Sequence, residues 1–408
     1  MGLLKRGIKT MVGILNVFVL ALAGLICYYS LSLPDSYLVT RGGGVGPLPE
    51  YISFKAEKAA HTPVMAGETT SGGELILFGI FPVKSVTVFD IGTPMLIPSG
   101  EPFGIKMLAD GAVVTDVNGF DTARGFASPA KDAGIRVGDI IKEIDGKRVL
   151  SNSDIVSKAR LGKTVEVTFL HKDEVKTAVI KPAMSSGGGY KIGLWVKDSS
   201  AGIGTLTFYN AAAGSFAGLG HPVCDAASGA ILPLYSGEAV KVNVNGIVRG
   251  RAGYPGELTG EFFASDEIGK LLVNDISGVY GELDGGIING SNAIPLGTRG
   301  QIREGRAYIY TTVDGNLPTA YAVDIEKISG KADSGKDMVI NVTDERLLKL
   351  TGGIIQGMSG SPIIQDGRLV GAVTHVFVNN PQKGYAIFAD TMYCTSLSAG
   401  SPQLSNAA

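Results

Sequence analysis

The spacing of apolar and polar positions divides the chain into two regimes. Lys5, Arg6 and Lys9 precede a stretch from Thr10 to Pro34 without a formal charge. That length is enough to cross a bilayer as one helix. Beyond it the apolar residues come in short runs, often alternating with polar ones. Glu74–Phe78, Val83–Val88, Val165–Leu170, Gly204–Tyr209, Ala239–Val244 and Met338–Val342 are examples. A period of two with Val, Ile and Thr predicts half-buried strands. Ser153–Arg160 reads as helix-like, and few long amphipathic helices are visible. The predicted class is mainly β: a transmembrane helix, a small α+β unit and a β-rich C-terminal domain. The boundaries fall at 1–34 for tail and anchor, 35–101 for a linker and strand-rich connecting region, 102–182 for the α+β unit, 183–191 for a second linker, and 192–408 for the β-rich domain.

Composition sharpens this picture. With 58 glycines and 45% apolar residues, the chain is turn-rich and able to build cores, not disordered. The 36 basic and 38 acidic side chains nearly cancel. No basic stripe with interleaved aromatics is present, so nucleic acid is not an expected partner. Basic residues before the apolar stretch and Asp35 after it keep the N-terminus in the cytoplasm and place the remainder across the membrane. A cleaved signal peptide is the competing reading. The run is long for one, and an uncleaved anchor, open to later proteolytic release, is the expectation. Cys27, Cys224 and Cys394 do not make a disulfide framework. His61, His171, His221 and His375 show no paired metal-ligand spacing, so neither metal nor cofactor is expected. Two similar pieces, Gly253–Leu258 and Gly278–Leu283, hint at an internal repeat.

Residues 102–182 follow a recognisable order. Pro102–Met107 leads into a strand at Ala112–Val117. Ser128–Ile135, Val137–Ile141, Ile144–Val149, the helix-like stretch and a final strand at Val165–Leu170 follow. This series resembles a PDZ domain. The resemblance implies a carboxylate-binding loop at Phe103, Gly104 and Ile105, whose backbone N–H groups would hold a peptide that adds to the sheet edge.

The chemistry concentrates in Gly357-Met358-Ser359-Gly360-Ser361-Pro362. A serine becomes a nucleophile when a base takes its proton and donors hold the oxyanion. Glycines around Ser359 let the backbone approach a carbonyl, which makes the N–H groups of Gly357 and Ser359 the candidate oxyanion hole. The loop feeds a hairpin at Ile363–Val370 with Asp366-Gly367 at its turn. Gly-x-Ser-Gly-Ser-Pro resembles the nucleophile loop of chymotrypsin-like peptidases, Gly-Asp-Ser-Gly-Gly-Pro. Two histidines of the β-rich domain compete as base. His221 lies in a turn-like Gly-Leu-Gly-His-Pro, where the imidazole can face a cleft. His375 lies on an alternating strand and reads as groove lining. His221 is the expected base. The acid stays open on local pattern among Asp225, Asp275, Asp314, Asp324, Asp333, Asp337 and Asp344, the last of which also reads as a helix N-cap.

Anchor, PDZ unit and Gly-x-Ser-Gly-Ser-Pro domain in this order resemble the stage IV sporulation protein B peptidases of endospore-forming bacteria. Gly218–His221, Gly353–Gln365 and Gly371–Asn379 carry the resemblance. It implies Ser359, His221 and Asp344 as the catalytic residues. It also implies a membrane-anchored serine endopeptidase, made in the forespore and facing the space between the forespore and mother-cell membranes. Such an enzyme cuts itself and a regulator of an intramembrane protease, which releases late sigma-factor processing. An HtrA-like quality-control peptidase is the enzymatic alternative, but there the PDZ domain follows the protease and the loop ends Gly-Gly-Pro. A non-catalytic PDZ scaffold is the alternative from another class, and intact Ser359 and His221 argue against it.

Overall fold

A computed structural model describes residues 2–40, 44–46, 48–56, 62–65, 68–172, 174–226, 228–285, 292–315, 317–329 and 335–399. Arg41–Gly43 and Pro47 of the 35–101 region, like His61 and Asp333, lie outside those residues. Strand makes up 51% and helix 16%, so the chain is mainly β as expected. Helix α1 (Gly2–Ser32) contains an apolar, exposed span from Met11 to Ser32. At 1.5 Å per residue that span is about 33 Å long, enough for a bilayer core. Its last carbonyls are closed by Lys84, whose Nζ donates to Ser30 O at 3.0 Å and Leu33 O at 2.8 Å and pairs with Asp35 at 2.6 Å. Lys84 belongs to a small sheet (Ser36–Asp90) that packs Leu75, Leu77 and Val86 under the end of α1.

Two barrels follow. The first consists of β1 (Pro102–Asp116), β2 (Trp195–Asn210), β3 (Ser215–Gly218), β4 (Leu234–Val248), β5 (Glu257–Asp275) and β6 (Gly278–Leu283). Its strands close in the order 1-2-3-6-5-4. The second consists of β7 (Gly305–Thr311), β8 (Thr319–Ile328), β9 (Met338–Val342), β10 (Pro362–Gln365), β11 (Arg368–Val376) and β12 (Lys383–Phe388). It closes as 7-8-9-12-11-10, the same Greek-key circuit. Closure pairs the edges within each barrel, and the start of β2, which runs on beyond the barrel, keeps a free edge. Each barrel is filled by its own inward residues, such as Phe103, Leu206 and Phe216 in the first and Ile309, Ile340 and Val373 in the second. A third cluster seals them together: Phe208 and Tyr280 of the first barrel meet Leu369 and Ile387 of the second and Met392 of the C-terminal helix. The internal repeat is therefore one of barrels. Gly253–Leu258 and Gly278–Leu283 are not its units, for the first is mostly a turn before β5 and the second is β6.

The PDZ unit sits inside the first barrel in chain order, between β1 and β2. Strand β1 serves both bodies. One edge pairs with β2 along its length. The other pairs with β4 from Phe103 to Ala109, then with the PDZ strand Ile140–Ile144 at Ala112 and Val113. At the changeover Asp110 is held by Lys142 at 2.9 Å and Arg148 at 2.5 Å, both PDZ residues. A linear division into 102–182 and 192–408 therefore cuts the first barrel, because β1 lies on the far side of a 78-residue excursion, 117–194. The segment read as a second linker, 183–191, forms a short hairpin instead, Ala183–Met184 against Tyr190–Lys191. Helix α2 (Asn152–Ala159) completes the PDZ fold, its first turn closed by the Ser151–Asp154 capping box.

Candidate active site and peptide groove

His221 and Ser359 occupy equivalent places. Each lies in the loop after the third strand of its barrel, His221 between β3 and β4, Ser359 between β9 and β10. The barrels' shared cluster brings these loops together. Strand β2 lies directly under the serine loop. The Thr205 N–H donates to Ser359 O at 2.8 Å, Thr205 Oγ1 to Gly357 O at 2.7 Å, and Thr207 Oγ1 to Gly360 O at 2.8 Å. Gly360, with φ +98°, lets the strand approach. A Cβ there would stand 1.9 Å from Thr205 O and 2.6 Å from Leu219 N. The predicted hairpin is present, with Asp366 and Gly367 both at positive φ.

Both candidate side chains converge on Thr374–His375 of β11. Ser359 Oγ donates to Thr374 O at 2.6 Å. The His221 and His375 rings lie 4.8 Å apart between centroids. No hydrogen bond joins Ser359 to His221 in this conformation, since Oγ has turned to the Thr374 carbonyl. Catalytic contacts are often looser without substrate. His221 Nδ1 lies 2.9 Å from Pro222 O, which favours the tautomer with Nε2 unprotonated. Asn274 braces that turn, accepting from Val223 N–H at 2.8 Å and donating to Val223 O at 2.9 Å. Among the described residues, the N–H groups of Gly357 and Ser359 donate to no acceptor. Two unspent donors flanking a serine are what an oxyanion hole requires.

Asp344 is placed elsewhere in its bonding. It caps helix α3 (Glu345–Thr351), and no hydrogen bond joins it to His221. Its carboxylate receives Arg346 Nε at 3.0 Å, an Arg346 NH2 group at 2.8 Å and the Ala322 N–H at 3.2 Å. The Arg346 hydrogen bonds hold its pKa down to about 2. Of the other acids, Asp275 accepts from Ser277, and Asp337 accepts from the Phe388 N–H at 3.0 Å.

Burial lowers the pKa of His221 below the usual histidine value. Burial first, then His221 and Lys336, push His375 down to about 4. A general base works when neutral, so a lowered pKa extends activity toward acid. The acidic limb of kcat/KM is expected to have its midpoint below about 6.5, the ordinary histidine value. A pH–rate profile checks this, and a midpoint at or above 6.5 contradicts it. Stability follows the same sign. Between about 6.5 and 4 the unfolded chain binds protons that the folded site refuses, so stability falls as pH drops through that window.

The residues assigned to the carboxylate-binding loop are not in a loop. Phe103, Gly104 and Ile105 lie in β1 and pair with β2 on one edge and β4 on the other. Phe103 and Ile105 point into the first barrel's core, 0% and 3% exposed. With both edges taken, that stretch cannot receive a peptide strand. The structure offers a different groove of about 580 Å³. One wall is α2, through Ile155, Val156, Ala159 and Arg160; the other is the run Tyr190–Val196. Along Trp195–Lys197, β2 pairs only with β1, so its other edge is open toward α2. Just before it, the N–H groups of Ile192, Gly193 and Leu194 make no hydrogen bond among the described residues. Ile192-Gly193-Leu194 repeats the apolar-Gly-apolar pattern of Phe103-Gly104-Ile105 after a Gly-rich turn. That second match was the available signal, masked by its resemblance to a linker.

Paired Greek-key barrels with a serine loop and a histidine loop meeting at their junction define a chymotrypsin-like serine peptidase, here with a PDZ domain inserted in its first barrel. A family model described as SpoIVB peptidase S55 matches residues 188–393, and a PDZ domain model matches 103–181. The chain belongs to the SpoIVB peptidase S55 family and is a sporulation serine peptidase. Among solved structures it is similar to the PDZ domain of the SdrC-like protein from Listeria monocytogenes, with 30% identity over 22% of this chain and 90% of that one and a TM-score of 0.19. The Listeria innocua counterpart shows 25% identity over 21% and 93%, with a TM-score of 0.18. No curated protein matches the chain significantly.

Proposed function

We propose that the protein is a membrane-anchored serine endopeptidase in which His221 takes the proton of Ser359. The hydroxyl attacks a peptide carbonyl, the N–H groups of Gly357 and Ser359 stabilise the oxyanion, and water resolves the acyl-enzyme. The carrying observation is the meeting of the two equivalent loops at Thr374–His375 with both oxyanion donors unspent. A fluorophosphonate should label the purified full-length protein in detergent at a single site, Ser359. A folded protein that stays unlabelled rules this mechanism out and favours the scaffold reading.

Asp344 is the third member by family resemblance, whereas its bonding here is that of a helix cap. One substitution separates these roles. Asn is as good an N-cap as Asp, so Asp344→Asn keeps the cap and removes the charge. A catalytic acid loses on the order of 10⁴-fold in kcat on that change. A rate within threefold of wild type assigns Asp344 to the cap alone.

On the family resemblance, the substrates are the protein's own N-terminal region and a membrane-associated regulator of an intramembrane protease, with the catalytic domain outside the cytoplasm of the forespore. The groove between α2 and Trp195–Lys197 is the proposed peptide-recognition site, taking an extended segment by strand addition. Val156→Arg would fill that groove. Cleavage of the protein's own N-terminal region is expected to fall at least about 10-fold, because recognition depends on the groove, while fluorophosphonate labelling stays within twofold. Equal losses in both assays would mean the groove acts on the active site itself.

A further inference from the structure

We propose that Ser361 is a positioning residue that holds the oxyanion hole in its working orientation. The inference rests on Ser359 being the nucleophile. The N–H of Ser359 belongs to the Met358–Ser359 peptide. A trans peptide is planar, with its C=O and N–H pointing oppositely, so whatever holds Met358 O aims the Ser359 N–H. Met358 O accepts twice from one residue: from the Ser361 N–H at 3.0 Å and from Ser361 Oγ at 2.7 Å. Ser361 is 0% exposed, so no water competes for either bond. The backbone bond alone is a single turn of the kind that flips readily in tight loops. The hydroxyl adds a second bond from the same side, and turning the peptide over would strand a buried donor and a buried acceptor.

The companion donor is held by the same device from a different place. Gln356 O accepts from the Leu258 N–H at 2.9 Å, which aims the Gly357 N–H away from β5. Gly357, at φ +96°, packs against Leu258 there. One oxyanion donor is thus set by the first barrel and the other by a side chain two residues after the nucleophile. Ser361 and Leu258 are buried, and the Ser361 hydroxyl is spent on Met358 O, so the role is orientation and not chemistry.

The test is saturation kinetics of fluorophosphonate labelling on full-length protein in detergent, whose phosphoryl oxygen occupies the oxyanion hole as it reacts. Ser361→Ala is expected to lower the limiting labelling rate about 10- to 100-fold, somewhat less than outright loss of an oxyanion donor, with half-saturation within twofold. Ser361→Thr, which keeps the hydroxyl, should label within about threefold of wild type. A residue needed only for stability would shift the melting temperature and spare this split. If Ser361→Ala does not fold, Ser361→Cys, of similar size but a weak donor, is compared in its place. Wild-type labelling rates in the Ala or Cys variant overturn the proposal, as does an equal loss in the Thr variant. Labelling that survives Ser359→Ala, or is absent from wild type, instead overturns the nucleophile reading and this proposal with it.

Discussion

Ser359→Ala is expected to abolish peptide hydrolysis, with a loss in kcat on the order of 10⁶-fold and only the small residual rate of a bare oxyanion hole. The mechanism loses its acyl-enzyme, and no neighbouring hydroxyl stands in the same position. Thr205 and Thr207 spend their hydroxyls on the loop's carbonyls, and Ser361 spends its own on Met358 O. His221→Ala should cost a comparable factor, and the double variant hardly more than either one, because the two act as a unit. The fold should survive. Ser359 is half-buried, and its Oγ makes one hydrogen bond, to Thr374 O. Losing that bond costs about 1 kcal/mol. Cleavage assays, fluorophosphonate labelling and thermal melts on the three variants check these statements together. Turnover retained by Ser359→Ala would move the nucleophile away from this loop.

Gly360→Ala is expected to be severely destabilising. The new methyl would fall 1.9 Å from Thr205 O, 2.6 Å from Leu219 N and 2.9 Å from Thr205 C, all backbone atoms that cannot swing aside. Relief requires the serine loop to lift off β2, and that breaks the three buried bonds from Thr205 and Thr207. Each contributes about 1 kcal/mol, and a non-glycine residue at φ +98° adds roughly 1–2 kcal/mol of backbone strain. The sum is on the order of 4 kcal/mol, which lowers the melting temperature of a domain this size by roughly 10 °C. Circular dichroism melts measure it. Because the same bonds hold the loop that carries Ser359, labelling should fall too. A melting temperature within 2–3 °C of wild type, no more than about 1 kcal/mol produces, would mean that the barrels do not grip the loop as described.

Local chemistry made much of this readable in advance. The apolar N-terminal span, the Asp366-Gly367 turn and the helical stretch from Ser153 depend on residues within a few positions of one another. Their signals survive in a linear pattern. Ser359, Gly357 and His221 stood out for the same reason, since glycine-flanked loops declare themselves locally. The sequence by itself therefore determined the mainly-β class, the apolar N-terminal helix and the short list of reactive side chains.

Tertiary structure decided which like-patterned segments do which work. Phe103-Gly104-Ile105 and Ile192-Gly193-Leu194 look alike in sequence, yet strand pairing closes both edges of the first and leaves the second beside an open edge. Asp225, Asp275, Asp337 and Asp344 are equivalent on local pattern, yet in the fold Ser228, Ser277, the Phe388 N–H and Arg346 respectively take their carboxylates. The twofold design of the molecule is an order of strand neighbours, 1-2-3-6-5-4 in each barrel, with no shared residue pattern to announce it. Pairing across the 78 residues between β1 and β2 costs loop-closure entropy that rises only slowly with length, so the two strands can join without leaving a trace in the intervening sequence. Periodicity reports which face of a segment is buried. It carries no information about the partner that buries it, and in this protein that partner is what assembles the site.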